Sequence, residues 1–197
     1  MKKSSFILEE GYRKIAIVFI ASIFLLLLIS DCLGYLGLLI GLFLVYVYRN
    51  SYRHLFKNSQ SVLAPIDSTV VAIDHLNDKC KIYCKVSLCN NHIFRAPSDG
   101  EVKVKKYKRG LNLNPNSYKA SLYNEQTTLK FPDMKIKLVS GLFNHKMKRI
   151  KENNVLQGDP IAVFLDGMVV ITISNEHDTM VNIGDKLTAG QTILFTK

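Results

Sequence analysis

Residues 63–71 read LAPIDSTVV and residues 94–102 read FRAPSDGEV, so Ala-Pro-x-Asp-x-x-Val occurs at Ala64 and again 32 residues later at Ala96. Proline cannot donate to a strand ladder, aspartate favours a turn, and β-branched valine favours a new strand. Each copy therefore predicts a corner between two strands. The repetition predicts two equivalent corners in one compact β-sandwich.

Short strands are predicted on both sides of these corners. From residue 62 onward, segments with two-residue alternation or β-branched runs are bounded by Asp, Asn, Gly or Pro, which is the pattern of strands. They lie within residues 62–76, 80–88, 92–97, 101–110, 119–125, 127–131, 134–142, 160–165, 168–175 and 191–196. One helix is predicted in FNHKMKRIKENN at 143–154, because Met147 and Ile150 have helical spacing. The expected fold class is all-β, similar to a barrel-sandwich hybrid, after an N-terminal α-helical membrane hairpin.

The N-terminal segment is strongly apolar. Over the 34 residues from Ile15 to Tyr48, the charged side chain is Asp31, and this length exceeds the roughly 20 residues of one membrane span. We expect a membrane anchor over residues 1–48, made of two apolar helices that turn at residues 30–34. A cleaved signal peptide is disfavoured, because the apolar stretch is too long and no small-residue cleavage site follows it.

Positive charge flanks this hairpin at both ends. The basic residues before and after it are Lys2, Lys3, Arg13, Lys14, Arg49, Arg53, His54 and Lys57. The positive-inside rule predicts that both ends face the cytoplasm, from an inner or cytoplasmic membrane. Whether the hairpin spans the bilayer or enters one leaflet stays open. A basic connector over residues 49–61 and a β domain over 62–197 would then follow on the cytoplasmic side.

The net charge is +10, and from Arg49 onward 22 Lys and Arg face 13 Asp and Glu. This balance favours an anionic partner, and beside a membrane anchor we expect anionic phospholipid, although a solvated basic face would give the same composition. Nucleic acid is disfavoured, because the aromatic residues do not interleave with the basic ones. The cysteines at 32, 80, 84 and 89 match no zinc pattern. We expect them to be reduced core residues, and no metal site is predicted.

The C-terminal sequence VNIGDKLTAGQTILF at 181–195 has two turns before a last strand. It is similar to biotinyl and lipoyl carrier domains and to some phosphocarriers. A carrier needs a lysine at a hairpin tip or a histidine that can be phosphorylated. Met134-Lys135 and Met147-Lys148 lack suitable flanking turns, so a carrier or binding module is the less favoured of two function classes.

Eight blocks, taken in order, resemble the phosphatidylserine decarboxylase family in its short, archaeal-like form. They are EEGYRKIAIVF, the apolar hairpin, VYVYRNSYR, VLAPIDSTVV, HIFRAPSDGEV, KIKLVSGL, QGDPIAVFLDG and VNIGDKLTAGQTIL. The resemblance implies a membrane-bound carboxy-lyase of phospholipid biosynthesis that converts phosphatidylserine to phosphatidylethanolamine. In this family the proenzyme cuts its own chain at Gly-Ser, and the serine becomes a pyruvoyl cofactor.

The resemblance assigns site residues position by position. The family's Asp falls on Asp67, and the His of its His-x-x-Arg-Ala-Pro block falls on His92, followed by a matching Arg95. In the family these two residues polarise the serine that attacks the preceding carbonyl. Without the resemblance, the preferred interpretation of Asp67 is a turn cap, and that of His92 is a strand histidine with its hydrogen bonds satisfied. The cleavage position falls on Gly167, and Met168 stands where the serine is required.

Methionine cannot perform the serine's reaction, because a thioether forms no ester with a carbonyl. No glycine in the chain is followed by Ser, Thr or Cys. Ser140 and Ser174 are the nearest hydroxyls in predicted strands, and neither follows a glycine. We therefore expect that the pyruvoyl group is not formed. Three other positions near the site differ from the family. Asn90 stands in place of its acidic residue, Phe94 in place of its Asn, and Leu165 in place of its Arg. Phe94 and Leu165 would make the pocket more apolar.

Two functions remain at this point. One is a membrane-bound phosphatidylserine decarboxylase-family protein of phospholipid biosynthesis, for which both an active carboxy-lyase and, as Met168 favours, a pseudoenzyme without self-processing stay open. The other is a non-catalytic module that binds anionic phospholipid or regulates an active enzyme. In both, headgroup contacts are expected at Arg95, Lys146, Lys148, Arg149 and the lysines from 103 to 108. The expected partners are a phospholipid membrane and either a second copy or an active paralogue of the family.

Overall fold

The computed structural model describes residues 7–28, 30–50, 53–56, 58, 60–76, 78–144, 154–174 and 178–196. The chain divides into two compact units, Met1–Arg53 and His54–Lys197. The division falls inside the stretch predicted as a basic connector. The helix predicted at 143–154 lies almost wholly outside the described residues, so it stays a prediction.

The first unit is a hairpin of two antiparallel helices, α1 (Glu9–Leu28) and α2 (Asp31–Val47). Glycines line the side of α2 that packs on α1. A β-carbon at Gly34, Gly37 or Gly41 would press on the side chains of Leu26, Ser22 and Phe19, respectively. Small residues at this spacing let two apolar helices approach closely where no water is present to drive them together.

The turn of the hairpin is shorter than predicted. We expected it over residues 30–34, but α1 ends at Leu28, Ser30 is the extended N-cap residue, and α2 already begins at Asp31. A carboxylate in the first turn of a helix is favoured by the helix dipole, so Asp31 starts the helix instead of breaking it. Gly34 is helical because α1 packs against it.

Tyrosines and basic residues meet at the open end of the hairpin. Lys14 Nζ donates to the Tyr48 hydroxyl at 2.7 Å, and the Arg49 guanidinium lies 4.0 Å from the centre of the Tyr46 ring. Such pairs are typical of a membrane–water interface. Residues Gly11–Leu28 are long and apolar enough to cross a membrane, whereas α2 is a shorter apolar helix.

The second unit is built from short strands and one turn of helix. Its elements are β1 (Ser61–Leu63), β2 (Ser68–Leu76), β3 (Lys79–Val86), β4 (Ile93–Arg95), β5 (Gly100–Glu101), β6 (Lys103–Lys108), α3 (Ala120–Tyr123), β7 (Gln126–Lys130), β8 (Met134–Ser140), β9 (Asn154–Val155), β10 (Pro160–Val163), β11 (Gly167–Ser174), β12 (Asp178–Thr179), β13 (Lys186–Leu187) and β14 (Ile193–Thr196). The all-β expectation is confirmed. The strand predicted at 119–125 is wrong, because α3 occupies it. The Asn124 side chain, directly after α3, accepts from Leu113 N and donates to Leu113 O, and so joins the end of the helix to residue 113.

A seven-stranded antiparallel sheet dominates this unit, in the order β13-β2-β3-β11-β8-β7-β6. Smaller sheets, β1-β14-β12, β10-β4 and β5-β9, cover it. In the central strand β11, buried residues alternate with half-buried ones. Val169, Ile171 and Ile173 join the core of the domain, so the opposite side of β11 faces outward.

The two Ala-Pro-x-Asp copies form the predicted corners, one between β1 and β2 and the other between β4 and β5. They cross and bond to each other in the same way. Leu63 N donates to Pro97 O at 3.0 Å, and Arg95 N donates to Pro65 O at 2.7 Å. The same positions of each copy are used in turn, so the corners are related by an approximate two-fold axis.

Each corner is also tied to a later turn by an equivalent set of bonds. Gly190 N donates to Ala64 O at 2.9 Å, and Gly158 N donates to Ala96 O at 2.8 Å. The carboxylates match as well: Asp67 accepts from Ala189 N at 2.9 Å, and Asp99 accepts from Gln157 N at 2.7 Å. The doubled sequence therefore encodes a doubled arrangement of corner and turn.

Leu55 packs between the two turns, at Gly158 and Gly190, that hold the Ala-Pro-x-Asp corners. A β-carbon at Gly158 would lie 2.8 Å from Leu55 Cδ1, and one at Gly190 would lie 2.6 Å from Leu55 Cδ2. Phe56 N donates to Gly190 O at 2.9 Å, and Asn58 N donates to the Gln157 side chain at 2.9 Å. From residue 54, the chain predicted as connector is thus part of the β domain.

The cysteine prediction is correct in part. All four cysteines are free, and Cys80 and Cys84 are buried in the sheet, whereas Cys32 and Cys89 are exposed. Burial raises the pKa of the Cys84 thiol to about 12, against a smaller lowering by a hydrogen bond from Ser68. Cys89 follows the end of β3, so alternation no longer turns it inward.

The two corner carboxylates give a matched pair of variants. Asp67→Ala removes the acceptor for Ala189 N and for Asn91 N, and we expect it to lower the free energy of unfolding by about 2–3 kcal/mol. Asp99→Ala removes one acceptor at an exposed position, where water can replace it, so about 1 kcal/mol is expected. Urea unfolding of the full chain in a neutral detergent, followed by circular dichroism, measures both. An equal or larger loss in Asp99→Ala would contradict the comparison.

Candidate active site

Asp67 lies at the first corner, directly before β2. Its Oδ1 accepts from Ala189 N at 2.9 Å, and its Oδ2 accepts from Asn91 N at 3.4 Å. The carboxylate is half-buried. It therefore holds the corner, as the turn-cap interpretation predicts, and the same bonds place it beside the residue that precedes His92.

His92 precedes β4 and is fully buried. Its ring Nε2 lies 3.3 Å from Ser87 O, and its own carbonyl accepts from Phe164 N at 2.9 Å. Ser87 follows Val86, and Val86 is the strand partner of Gly167. The imidazole is thus held at the end of the sheet where β11 begins.

The cleavage position forms the start of β11. Gly167 is paired with Val86 on β3 and with Ser140 on β8, and Met168 is paired with Lys85 and Val139. Thr69, two residues after Asp67, is the other partner of Lys85. Asp67, His92 and Gly167-Met168 are therefore linked through residues at one end of the central strands, and their catalytic roles stay predictions.

Met168 occupies a position unlike that of its neighbours in the core. Its half-buried side chain alternates with buried Gly167 and Val169, so it points to the outer side of the sheet. Both flanking strands pair with it. The Gly167–Met168 peptide is the first peptide of β11, the central strand of the large sheet, and both of its residues are paired on two sides.

Asp166 fastens this link to a loop that follows β8. The Asp166 carboxylate accepts from Phe143 N at 3.0 Å, and its backbone carbonyl accepts from Gly141 N at 3.0 Å and from the Asn144 side-chain amide. Leu165 N donates to the Asn144 side-chain carbonyl at 2.8 Å. Burial raises the pKa of Asp166, and backbone N–H groups of the loop oppose that rise.

Sequence reasoning missed Asp166 and Asn144, whose hydrogen bonds join the start of β11 to the loop after β8. Asp166 is not among the predicted site residues, and Asn144 lies in the segment predicted as a helix at 143–154. The sequence separation of 22 residues between them gives no local signal. An Asp directly before a glycine that starts a strand was the available hint.

The hydroxyl of Ser140 lies near the cleavage position without a role in it. Ser140 is the strand partner of Gly167, is buried, and its Oγ has no hydrogen-bond partner among the described residues. The carbonyl that precedes it belongs to Val139, so an attack of the family's kind would not cut at Gly167. Ser174 lies at the far end of β11.

The other predicted positions are distributed around this edge. Phe94 and Leu165 are buried, and their contribution to an apolar pocket stays a prediction. Arg95 is half-buried, and its guanidinium donates to Gly158 O at 2.9 Å, which ties it to the corner crossing. Lys146, Lys148 and Arg149 lie outside the described residues, so their lipid contacts stay predictions.

Two surface clefts lie elsewhere on the β domain. One of about 710 Å³ is lined by Ile73, His75, Asp178, Thr179, Val181, Asn182 and Ile183. The other, of about 960 Å³, contains Lys79, Lys81, Lys130 and Lys135. Neither is lined by Asp67, His92 or Met168. The described residues contain no group of three or more His, Cys, Asp and Glu that could hold a metal ion.

Comparison with known proteins defines the class. The family model of phosphatidylserine decarboxylase matches residues 40–195. A phosphatidylserine decarboxylase proenzyme of Syntrophotalea carbinolica is 31% identical over 94% of this chain and 94% of its own length, and one of Pelagibacter ubique is 26% identical over 96% and 95%. A protein of Methanosarcina barkeri named as an archaetidylserine decarboxylase proenzyme is 28% identical over 83% and 81%. No solved structure matches the chain.

The chain belongs to the phosphatidylserine decarboxylase family, which confirms the resemblance carried by its motifs. This family is known for decarboxylases that depend on a pyruvoyl group. The residues present do not fit that group, because Met168 offers no hydroxyl and lies in a strand paired on both sides.

Gly167 has a structural role that does not depend on cleavage. Its φ is +133°, and a β-carbon would collide with Val139 O and lie 2.9 Å from Gly141 N. Both are backbone atoms of the neighbouring strand and loop, so they cannot rotate away. Retention of glycine beside a methionine therefore follows from packing.

We expect Gly167→Ala to lower the free energy of unfolding by about 3 kcal/mol or more, through strained backbone and the collision. Gly184→Ala is the matched control, because Gly184 also has a positive φ of +96° but its β-carbon would meet open space; about 1 kcal/mol is expected there. Urea unfolding of both variants checks this. Equal losses would show that the collision with β8 is absent.

Proposed function

We propose that this protein acts in phospholipid biosynthesis as a membrane-associated member of its family that is not self-processed. It binds serine phospholipid at the edge where Asp67, His92 and Met168 meet, and does not decarboxylate it. Membership in the family supports the role in phospholipid biosynthesis. The apolar helix over Gly11–Leu28 supports membrane association, with the β domain on the cytoplasmic side by the charge pattern of the sequence.

Met168 is the observation that carries the proposal. Formation of a pyruvoyl group needs a hydroxyl nucleophile with a base and an orienting group, and a thioether can neither attack the Gly167 carbonyl nor eliminate. Asp67 and His92 correspond by position to the Asp and His that polarise the family's serine, but Met168 has no hydroxyl for them to activate. No step through the cofactor is therefore assigned to this chain.

The remaining residues support binding more than chemistry. Asp67 is occupied by two backbone donors, and His92 is enclosed, so both shape the edge of the sheet. Buried Phe94 and Leu165 make its lining apolar. A protein of this kind would act as a lipid-binding or regulatory partner, either as a homo-oligomer or with an active member of the same family.

Intact mass of the purified full chain tests the proposal. A single species of 22.3 kDa, together with no phosphatidylethanolamine formed from phosphatidylserine vesicles, is the expected result. Two chains separated after Gly167, with a blocked N-terminus on residues 168–197, would overturn it. Phosphatidylethanolamine production that is lost in His92→Ala would overturn it as well.

Restoring the hydroxyl tests whether Asp67 and His92 keep their activating positions. We expect Met168→Ser to gain cleavage between residues 167 and 168, and the gain to disappear in Met168→Ser/His92→Ala. Met168→Ala is the control, since it removes the thioether without adding a hydroxyl. A folded but uncut Met168→Ser chain would show that the edge has lost its activating geometry.

A further inference from the structure

The outer side of the seven-stranded sheet is densely basic. Alternation turns the apolar residues inward and leaves lysines outward, as in β3, where Lys79, Lys81 and Lys85 are more exposed than the buried Cys80, Ile82, Cys84 and Val86 between them. We call this surface the lysine face. It is formed by Lys79, Lys81, Lys85, Lys103, Lys106, Lys108, Lys130, Lys135, Lys137 and Lys186.

Strand register places these lysines opposite one another. Lys103 pairs with Lys130, and Lys130 pairs with Lys135. Lys135 is then opposite Thr172, and Thr172 is opposite Lys81. Like charges directly opposite on neighbouring strands destabilise a sheet. The row therefore has no explanation in the stability of the fold, whereas an anion bound along it would remove the repulsion.

Carboxylates accompany the ten lysines of the face at several points. Asp78 and Asp133 line the cleft that also contains Lys79, Lys81, Lys130 and Lys135. Asp74 is opposite Lys81 at one side, and Glu101 Oε2 lies 2.8 Å from Lys103 Nζ at the other. In the middle, nearby Lys105, burial, and the charges of Lys79 and Lys130 lower the pKa of Lys135. Neighbouring lysines are thus close enough to Lys135 to oppose its positive charge.

The chemistry of the face fits a plane of phosphates better than a nucleic acid. Seven strands at about 4.8 Å each give a width of about 30 Å. The basic residues on these strands are lysines, which bind phosphate as point charges without the paired geometry of arginine. Tyr83 is the aromatic residue that faces outward between them, whereas single-stranded nucleic acid needs several stacking platforms.

The lysine face belongs to a domain that the chain tethers to the proposed membrane anchor. The β domain follows directly after the apolar helices α1 and α2, so a tethered domain samples the bilayer surface at high effective concentration. The Met168 side chain points to this same side of the sheet, paired with Lys85. The position that corresponds to the family's serine thus opens onto the basic surface.

We propose that the lysine face docks the β domain on the surface of a bilayer that contains anionic phospholipid. The inference rests on the proposed membrane association but not on the fate of the Gly167–Met168 bond. A cleaved chain would overturn the proposed function and leave this docking unaffected.

Residue-resolved labelling of the full chain in nanodiscs tests the docking. The chain is reconstituted in phosphatidylcholine alone or in an equal mixture with phosphatidylglycerol, and lysine acylation rates are measured by mass spectrometry. We expect about fivefold slower labelling of Lys81, Lys130, Lys135 and Lys137 with the anionic lipid. Lys119, in the loop before α3, serves as the internal control and should label equally in both. Salt at about 1 M, where the screening length falls to about 3 Å, should abolish the difference.

A triple variant keeps the proposal falsifiable. Lys81→Gln/Lys130→Gln/Lys135→Gln changes outward side chains of the sheet and removes like-charge repulsion, so its thermal melt should lie at or above that of the parent. In it, the protection of Lys85, Lys106 and Lys137 should be lost, whereas Lys119→Gln should keep it. Equal labelling of the parent in both nanodiscs would overturn the docking. Protection by added duplex DNA in neutral nanodiscs, without protection by anionic lipid, would assign the face to nucleic acid instead.

Discussion

The β domain depends on the crossing of two short segments. Leu63 N bonds to Pro97 O and Arg95 N bonds to Pro65 O, so each Ala-Pro-x-Asp corner is held by the other. Proline has no backbone N–H to donate at these points. The aspartate two residues later accepts a hydrogen bond from a backbone N–H of a turn that is distant in sequence. Because both copies use the same bonds, the strands that leave them begin at equivalent places, and the large sheet and its smaller covers are set by this crossing.

The same crossing fixes the candidate site. Asp67 belongs to the first corner, and its second oxygen accepts from Asn91 N, next to His92. An aspartate that is required for the fold stays in place whether or not it is used in catalysis. This explains how the positions that correspond to the family's Asp and His stay in place beside Met168. Gly167 persists for a comparable reason, since the backbone of β8 leaves no room for a side chain there.

Local pattern was sufficient for most of the architecture. Alternation predicted the strands, the doubled motif predicted equivalent corners, and ordered blocks predicted the family. What failed depended on interactions that alternation does not show: the Asn124 side chain after the helix at Ala120–Tyr123 bonds to Leu113, and the helix dipole favours Asp31 at the start of a helix. The latch between Asp166 and the loop at Gly141–Asn144 joins parts of the chain that no short-range pattern relates. The lysine face needed the register as well, because a sequence shows that lysines alternate and only pairing shows that they stand opposite one another.

The central claim is that the link from Gly167 to Met168 is an uninterrupted part of the middle strand. Hydrogen exchange of the native full chain, read on peptides that span residues 164–173, tests it most directly. The account predicts that such spanning peptides are recovered and that the amides of Met168 and Val169 exchange as slowly as those of Ile171 and Ile173. Absence of spanning peptides, or fast exchange at Met168 and Val169 with protection beginning only beyond them, would contradict it.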